Sequence, residues 1–203
     1  MIGYRTGQRL LALLFLLVFL GGCAPKHTVT ATVFDDLQPV GELRGISHTN
    51  EPFDLADLRG KWVLVFFGYT FCPDICPTTL LEVSGALRLL AKEDPKMADS
   101  LAALFVTIDP ERDTVERLAQ YVPAFHPDIL GVIVEPSLFD QVKRNFGVHA
   151  EKSDVSQSSA AGYLMDHTAG VYLIDRDGNL AALFSHDTPA DVLAADLKVL
   201  LKR

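Results

Sequence analysis

Runs of consecutive apolar residues alternate along the chain with segments whose apolar residues recur at every third or fourth position. Unbroken apolar runs are typical of strands buried on both faces, and they predict strands at residues 62–68, 101–108 and 130–134. The segment 76–91 has the helical spacing instead, so we predict a helix there. The middle of the chain is therefore expected to alternate strand and helix.

Two further helices are indicated by their first residues. Asp113 with Glu116 three positions later has the spacing of a helix cap, and we expect a helix to begin there and to run toward residue 125. Pro136 suits the first turn of a helix, where its missing N–H is not needed, and predicts a helix at 136–146. These helices would connect the predicted strands.

The C-terminal part of the chain is predicted to be a hairpin followed by a helix. Strands at 170–174 and 180–185 flank a turn at 175–178, and Thr188 is expected to cap a last amphipathic helix that reaches residue 202. Strands separated by helices and followed by a hairpin and a helix predict an α/β, thioredoxin-like fold. We expect a central mixed sheet flanked by helices, with an N-terminal extension.

The first residues have the pattern of a secretory signal. Arg5 and Arg9 precede an apolar run at 10–20, which at eleven residues is short of the about twenty needed to span a bilayer. The run ends in two glycines and Cys23, an ending that resembles a bacterial lipobox. The resemblance implies that residues 1–22 are a lipoprotein signal peptide and that the Cys23 thiol is lipidated. The alternative is an uncleaved anchor in which Cys23 is inert.

Cleavage before Cys23 would leave 181 residues, enough for one domain with a full core. We expect a membrane tether at 23–40 and one thioredoxin-like domain at 41–203. The domain is then predicted to lie on the periplasmic side of the membrane. The formal charge of the whole chain is −8, and an acidic surface without a basic stretch argues against a nucleic-acid partner.

Candidate chemistry is concentrated at Cys72 and Cys76, which follow the predicted strand 62–68 and lie where the next helix begins. Cysteines four residues apart at a helix start lie on one face, and the exposed N–H groups there favour thiolates. Two such sulfurs can bind one soft metal ion, and they can also form a disulfide. Redox folds use the tighter Cys-x-x-Cys spacing, which this chain lacks. Metal binding and reversible oxidation both remain open.

His167 is the predicted third ligand because it lies just before the strand 170–174. In a thioredoxin-like sheet the loop entering that strand faces the cysteine helix, and here it carries an imidazole where such folds usually carry a proline. Two thiolates and an imidazole suit Cu(I) better than zinc, which prefers four ligands. A surface or capping histidine is the alternative. The remaining histidines are expected to be solvated: His27, His48, His126, His149 and His186.

Three motifs in order resemble the Sco/SenC family, and the resemblance extends from about Val40 to the C-terminus. The motifs are residues 68–80 with both cysteines, residues 105–113, and residues 166–178 with the histidine. The resemblance implies a thioredoxin fold and a copper site of Cys72, Cys76 and His167, holding Cu(I) with Cu(II) as a second candidate. Family members assist assembly of the dinuclear copper centre of cytochrome c oxidase.

The two resemblances imply three kinds of partner. These are a copper-receiving subunit of cytochrome c oxidase, an upstream copper donor or thiol reductant, and the membrane through a lipid anchor. Two functions compete: a copper metallochaperone, and an extracytoplasmic thiol-disulfide oxidoreductase in which Cys72 attacks a partner disulfide and Cys76 resolves it. A copper-responsive sensor would use the same ligands.

Neighbouring residues have a structural and a functional interpretation each. Asp109 either ends a strand or helps to shape the site, and Asp166 either orients His167 or caps a turn. Tyr69 and Phe71 are candidates for a docking rim or for burial. Asp74 is expected to be an acid at a helix start.

Overall fold

The computed structural model describes residues 27–153 and 162–203, and these contain an eight-stranded mixed sheet, a separate two-stranded ribbon and flanking helices. The strands are β1 (Thr32–Pro39), β2 (Arg44–Ser47), β3 (Pro52–Asp54), β4 (Trp62–Gly68), β5 (Leu101–Thr107), β6 (Ile129–Val134), β7 (Ala150–Ser153), β8 (Leu164–His167), β9 (Gly170–Ile174) and β10 (Asn179–Ser185). The helices are α1 (Ile75–Glu93), α2 (Pro95–Asp99), α3 (Val115–Tyr121), α4 (Pro136–Phe146) and α5 (Ala190–Leu200).

The strands of the main sheet follow the order β1-β10-β9-β4-β5-β6-β2-β3. Strand β4 pairs in parallel with β5 and antiparallel with β9, and all seven of its residues are buried. That burial explains why β4 appears in the sequence as an unbroken apolar run. Beside it, β7 and β8 pair only with each other and form the ribbon. The fold class is the one that the sequence predicts.

The helix α1 packs along α5, and this pair supports the end of the sheet at which the cysteines lie. The backbone N–H of Ala190, at the start of α5, donates a hydrogen bond of 2.6 Å to the Glu82 carboxylate of α1. Thr79 of α1 donates to the carbonyl of His186, just before α5. These contacts fix the first turns of α1 against the C-terminal part of the chain.

Two predicted helix caps are wrong by one residue. The N-cap of α3 is Thr114, whose side chain accepts from the N–H of Arg117, and not Asp113, which is turned inward and 0% exposed. Helix α5 follows Pro189 instead of Thr188 and ends at Leu200. The helix predicted at 136–146 has the expected bounds.

Part of the predicted tether is folded. Residues 32–39 form the edge strand β1 paired with β10, and Val40 is 1% exposed. His27 is exposed, as expected of a solvated histidine, and its ring also contacts the carboxylate of Asp196 in α5. Most side chains of this edge strand are exposed, so its sequence has little alternation of apolar and polar residues. For this reason the strand was predicted to be part of the tether. Residues 1–26, with the predicted signal peptide and Cys23, lie outside the described residues.

Across the described part of the chain, no helix has both the length and the apolar character needed to cross a membrane.

Asp196 holds the N-terminal segment, and its removal is expected to loosen that segment. Its buried carboxylate accepts from the N–H of Thr30 at 2.8 Å, from the Thr30 hydroxyl at 2.7 Å and from the N–H of Ala31. Asp196→Ala leaves these donors without an acceptor and should lower the free energy of unfolding by about 2 kcal/mol at pH 7. Hydrogen exchange should show faster exchange of the amides of Thr30 and Ala31.

The pH dependence of this effect has a definite sign. Burial alone would raise the pKa of Asp196, but the hydrogen bonds from His27, Thr30 and Ala31 hold it below its usual value. The stabilisation is therefore complete above the pKa of the unfolded chain, about 3.9, and is lost as the pH falls through the lower folded pKa. Asp191→Ala, an exposed acid on the same helix, is the control and should leave both amides protected. Unchanged exchange in Asp196→Ala would contradict the assignment.

Candidate metal centre

Cys72 lies in the short loop between β4 and α1, and its sulfur contacts the start of the helix. The backbone N–H of Cys76, the second residue of α1, donates to the Cys72 Sγ at 3.3 Å. The sulfur thus occupies the place of a helix-capping oxygen, at the end of the helix where partial positive charge favours an anion. The thiolate predicted from the sequence is at the expected position, although Cys72 precedes the helix.

Cys76 is 0% exposed and lies against the last residue of β4. A Cβ atom on Gly68 would come within 3.0 Å of the Cys76 Sγ and 2.8 Å of the Phe105 ring. Glycine at position 68 therefore leaves room for the Cys76 sulfur, because a side chain at this position would overlap with the sulfur. The same close approach leaves the second sulfur buried while Cys72 stays half-buried.

His167 is the last residue of β8, and it completes a group of three ligand atoms. Its Nε2 lies 3.7 Å from the Cys76 Sγ, and its Nδ1 lies 3.0 Å from the carbonyl oxygen of Thr168. That carbonyl can only accept, so Nδ1 carries a hydrogen, and Nε2 is the ring nitrogen that faces the sulfurs. The ring packs edge-on against Tyr69, with centroids 5.9 Å apart.

The donor set fits a metal ion. The ligand atoms of Cys72, Cys76 and His167 all lie within 4.8 Å of one another, and this is the one such group of His, Cys, Asp or Glu found in residues 27–153 and 162–203. Two ligand atoms that are each about 2.0 to 2.3 Å from one ion are at most about 4.6 Å apart, so the three ligand atoms need to move only slightly closer together to bind an ion. Two soft sulfurs and one imidazole suit a soft ion.

The two sulfurs differ sharply in acidity. The hydrogen bond from the Cys76 thiol is the main cause that lowers the pKa of Cys72 to about 4. Burial opposes this shift, whereas contact with His167 and the backbone N–H groups of Asp74 and Cys76 add to it. The hydrogen bond to the Cys72 thiolate and burial raise the pKa of Cys76 well above its usual value. At neutral pH the pair therefore holds one proton, on Cys76.

The acidity of Cys72 predicts an unusual alkylation profile. In reduced full chain carrying Cys23→Ser, reaction of Cys72 with iodoacetamide, followed by mass spectrometry, should have its midpoint near pH 4. An ordinary thiol would have its midpoint near pH 8.5. Cys76→Ala should raise the midpoint, because it removes the Cys76 thiol, which is the main stabilising donor. A Cys72 rate that climbs steadily up to pH 8 would contradict the structure.

Asp109 shapes the site through two partners, which favours the functional interpretation over a purely local one. Its buried carboxylate accepts from the Nε of Arg112 at 2.5 Å and from the hydroxyl of Tyr163 at 2.7 Å. The Arg112 guanidinium lies 3.6 Å from the centre of the Tyr163 ring and 4.8 Å from that of Phe71. These contacts join the loop of Cys72 to the segment that leads into β8.

The other neighbours have simpler roles. Asp166 is exposed, and the carbonyl of Thr168, not this carboxylate, contacts the His167 ring, so the orienting role is wrong. Tyr69 is buried and Phe71 lies under Arg112 and Arg117, so neither forms a free rim. Asp74 precedes α1 and makes no side-chain cap.

Sequence reasoning missed the most buried polar network near the site. The Asp113 carboxylate accepts from the Thr70 hydroxyl and the Thr107 hydroxyl, both at 2.6 Å, and from the N–H of Thr70 at 3.0 Å. Thr70 precedes Cys72 by two residues, so this network holds the loop between β4 and α1 on its buried side. The available signal was a single threonine at the end of each of two apolar strands, Thr70 just after β4 and Thr107 at the end of β5.

Two histidines are not solvated as expected. Nδ1 of His48 accepts from the backbone N–H of Gly131 at 2.9 Å, and His126 is buried. His149 is exposed as expected. None of these three belongs to the ligand group described above.

Comparison with known proteins shows which family this chain resembles. A family model described as SCO1/SenC matches residues 36–202. The mitochondrial SCO2 homologue of Danio rerio is 38% identical over 138 residues, which are 68% of this chain and 48% of that protein. The chain spans from 48% to 60% of the length of the vertebrate SCO2 proteins that it matches.

Solved structures match over more of their length. Bradyrhizobium japonicum ScoI with copper bound is 37% identical with a TM-score of 0.69, and the match covers 79% of this chain and 98% of that one. Apo Sco1 from Thermus thermophilus is 36% identical with a TM-score of 0.75, over 87% of this chain and 99% of that one. The thioredoxin-like fold is thus shared with proteins of similar sequence.

Proposed function

Since this chain belongs to the SCO1/SenC family, we propose that it is a copper metallochaperone whose Cys72, Cys76 and His167 bind one copper ion. The observation that carries the proposal is the convergence of two sulfurs and one imidazole nitrogen within 4.8 Å. A relative of similar fold, 37% identical, has been solved with copper bound. In this proposal copper is the cargo that the protein carries.

The donor set favours Cu(I) over other common ions. Thiolate sulfur is a soft ligand that selects Cu(I), and three ligands satisfy that ion, whereas structural zinc sites use four. Cys72 is already a thiolate at neutral pH, because its pKa is about 4. Cu(II), a harder ion that favours nitrogen and oxygen ligands, is the second candidate.

We propose that the ion is passed to the copper-receiving subunit of cytochrome c oxidase during assembly of its dinuclear copper centre. Family membership supports this destination, because Sco proteins act in assembly of that oxidase. The half-buried Cys72 is the sulfur that an incoming ligand reaches first, and the buried Cys76 is reached last. Transfer would then proceed by stepwise ligand exchange. The upstream donor would load the site by the reverse steps.

A thiol-disulfide oxidoreductase is the second candidate, and the acidity of Cys72 favours it. The Cys72 thiolate would attack a partner disulfide, form a mixed disulfide and release one partner sulfur. Cys76, after losing its proton, would attack Cys72, form the Cys72–Cys76 disulfide and release the partner as a dithiol. A thiol reductant would then restore the pair.

His167→Ala separates the two functions. In the full chain with Cys23→Ser, the variant should lose at least about tenfold in Cu(I) affinity, measured by competition with a chromophoric chelator. Reduction of a small disulfide should persist, because both sulfurs remain. His149→Ala, an exposed histidine outside the ligand group, is the matched control and should match the parent chain. Unchanged copper affinity together with intact disulfide reduction would favour the oxidoreductase.

We also propose that residues 1–22 are removed and that Cys23 carries a lipid that holds the domain on the periplasmic side of the membrane. The apolar run at 10–20 and the glycines before Cys23 support this. Palmitate labelling and membrane fractionation test it. Cys23→Ser should abolish labelling, whereas Cys72→Ser should label as the parent does; equal labelling of Cys23→Ser and the parent would overturn the anchor.

A further inference from the structure

Met165 shares the metal-facing side of the ribbon with His167. Side chains two residues apart on a strand point to the same face, and both residues are half-buried on β8 while Asp166 between them is exposed. Their Cα atoms are about 6.6 Å apart at the usual rise of a strand. The thioether and the imidazole are therefore neighbours on one surface.

A cavity of about 260 Å³ lies between Met165 and Cys72. It is lined by Cys72, Ile75, Met165 and His167, with Tyr69 at its wall. The backbone N–H of Met165 contacts the Tyr69 hydroxyl, and Tyr69 also packs edge-on against His167. Tyr69 thus holds both residues of the ribbon beside the loop of Cys72.

The chemistry of the thioether suits this position. Methionine sulfur is a soft, neutral ligand that selects Cu(I), and it needs no deprotonation. Three rotatable side-chain bonds let it reach positions that a shorter side chain does not. A Cu(I) ion bound to the Cys72 sulfur would lie at the wall of the same cavity that Met165 lines.

We propose that the Met165 thioether is a further Cu(I) ligand, which takes the place of the His167 imidazole on copper held by the cysteine sulfurs. In this exchange the bond from copper to Nε2 breaks and a bond from copper to the Met165 sulfur forms, with no change in protons or electrons. The ion then keeps three soft contacts while one position is being exchanged. The inference rests on the proposed copper binding and adds a ligand to it.

Selenium spectroscopy tests the proposal because the chain has only three methionines, at positions 1, 97 and 165. Full chain with Cys23→Ser is prepared with selenomethionine, loaded with one equivalent of Cu(I), and studied by X-ray absorption at the selenium edge. His167→Ala should show a copper–selenium contact, because Met165 then replaces the absent imidazole. Adding Met165→Leu should abolish this contact, and adding Met97→Leu should leave it.

Affinity gives a second, independent readout. In the His167→Ala background, Met165→Leu should lower Cu(I) affinity by about a further tenfold, the size expected for loss of a supporting ligand. Met97→Leu, in α2 and outside the cavity, should have no effect in the same background. With His167 present, Met165→Leu should have a smaller effect.

The outcomes distinguish this inference from the proposed function. If the parent chain binds no Cu(I), copper binding itself is wrong. If the parent binds Cu(I) while His167→Ala shows no copper–selenium contact and the same affinity with and without Met165→Leu, only the role of Met165 is overturned.

Discussion

Cys76→Ser is expected to abolish tight copper binding while the protein stays folded. The substitution replaces one sulfur by a smaller oxygen at a position that is 0% exposed, so it causes no steric overlap beside Gly68. A serine hydroxyl is a hard donor that remains protonated, and it cannot replace a thiolate on Cu(I). We expect Cu(I) affinity, measured by chelator competition, to fall by more than about 100-fold, beyond what loss of an outer partner costs.

The control for Cys76→Ser must separate lost copper binding from lost stability. Ser84→Ala serves this purpose, because Ser84 lies on the same helix and its hydroxyl donates to the carbonyl of Phe125 at 2.7 Å, away from the sulfurs. This control should lower the free energy of unfolding by about 1 kcal/mol and keep copper affinity. Cu(I) affinity of Cys76→Ser within a few-fold of the parent would show that the ion binds elsewhere.

Asp113→Ala is expected to cause the largest loss of stability. Its carboxylate is 0% exposed and accepts from two threonine hydroxyls and one backbone N–H, which join the loop after β4 to the end of β5. Each buried donor left without an acceptor costs about 1–3 kcal/mol, so we expect a loss of about 3–5 kcal/mol in free energy of unfolding. Denaturant titration with circular dichroism measures it. Asp140→Ala, at an exposed acid, should change stability by under about 0.5 kcal/mol.

Asp113→Asn tests the electrostatic part of the same contact. Burial, opposed by the hydrogen bonds from Thr107 and Thr70, raises the pKa of Asp113. Protonation therefore favours the folded state, and the parent chain should gain stability relative to Asp113→Asn as the pH falls through the raised pKa. The difference should be constant well above that pKa. A parent chain that instead loses stability relative to Asp113→Asn on acidification would contradict a raised pKa.

The features predicted best from the sequence are those that one strong pattern determines. Strand β4 has an unbroken apolar run because it is buried throughout, and α4 has a proline at its start and Gly147 in the left-handed conformation, with φ of 65°, at its end. The three candidate ligands were predictable because the cysteines follow β4 directly and His167 precedes β9. Each lies at a strand end, where the fold class determines the neighbours.

The errors occurred where backbone contacts or buried polar groups decide the structure. Strand β1 is stabilised by pairing with β10, which requires no particular side chains, so its residues resembled a tether. Asp113 and Thr114 both fit the spacing of a helix cap, and only the inward hydrogen bonds of Asp113 distinguish them. The partners of Asp109 come from Arg112 and Tyr163, and the distance between these in the sequence gives no sign of contact.

The proton on Cys76 makes copper uptake an exchange of ions. Both sulfurs must be thiolates to bind copper as proposed, so the ion displaces that proton, and at pH values between the two cysteine pKa values the apparent affinity changes about tenfold per pH unit. An acceptor thiol gives up a proton of its own when it takes the ion. That proton can return to Cys76, so copper transfer from this site to another thiol site leaves the proton balance unchanged, and acidification alone favours release.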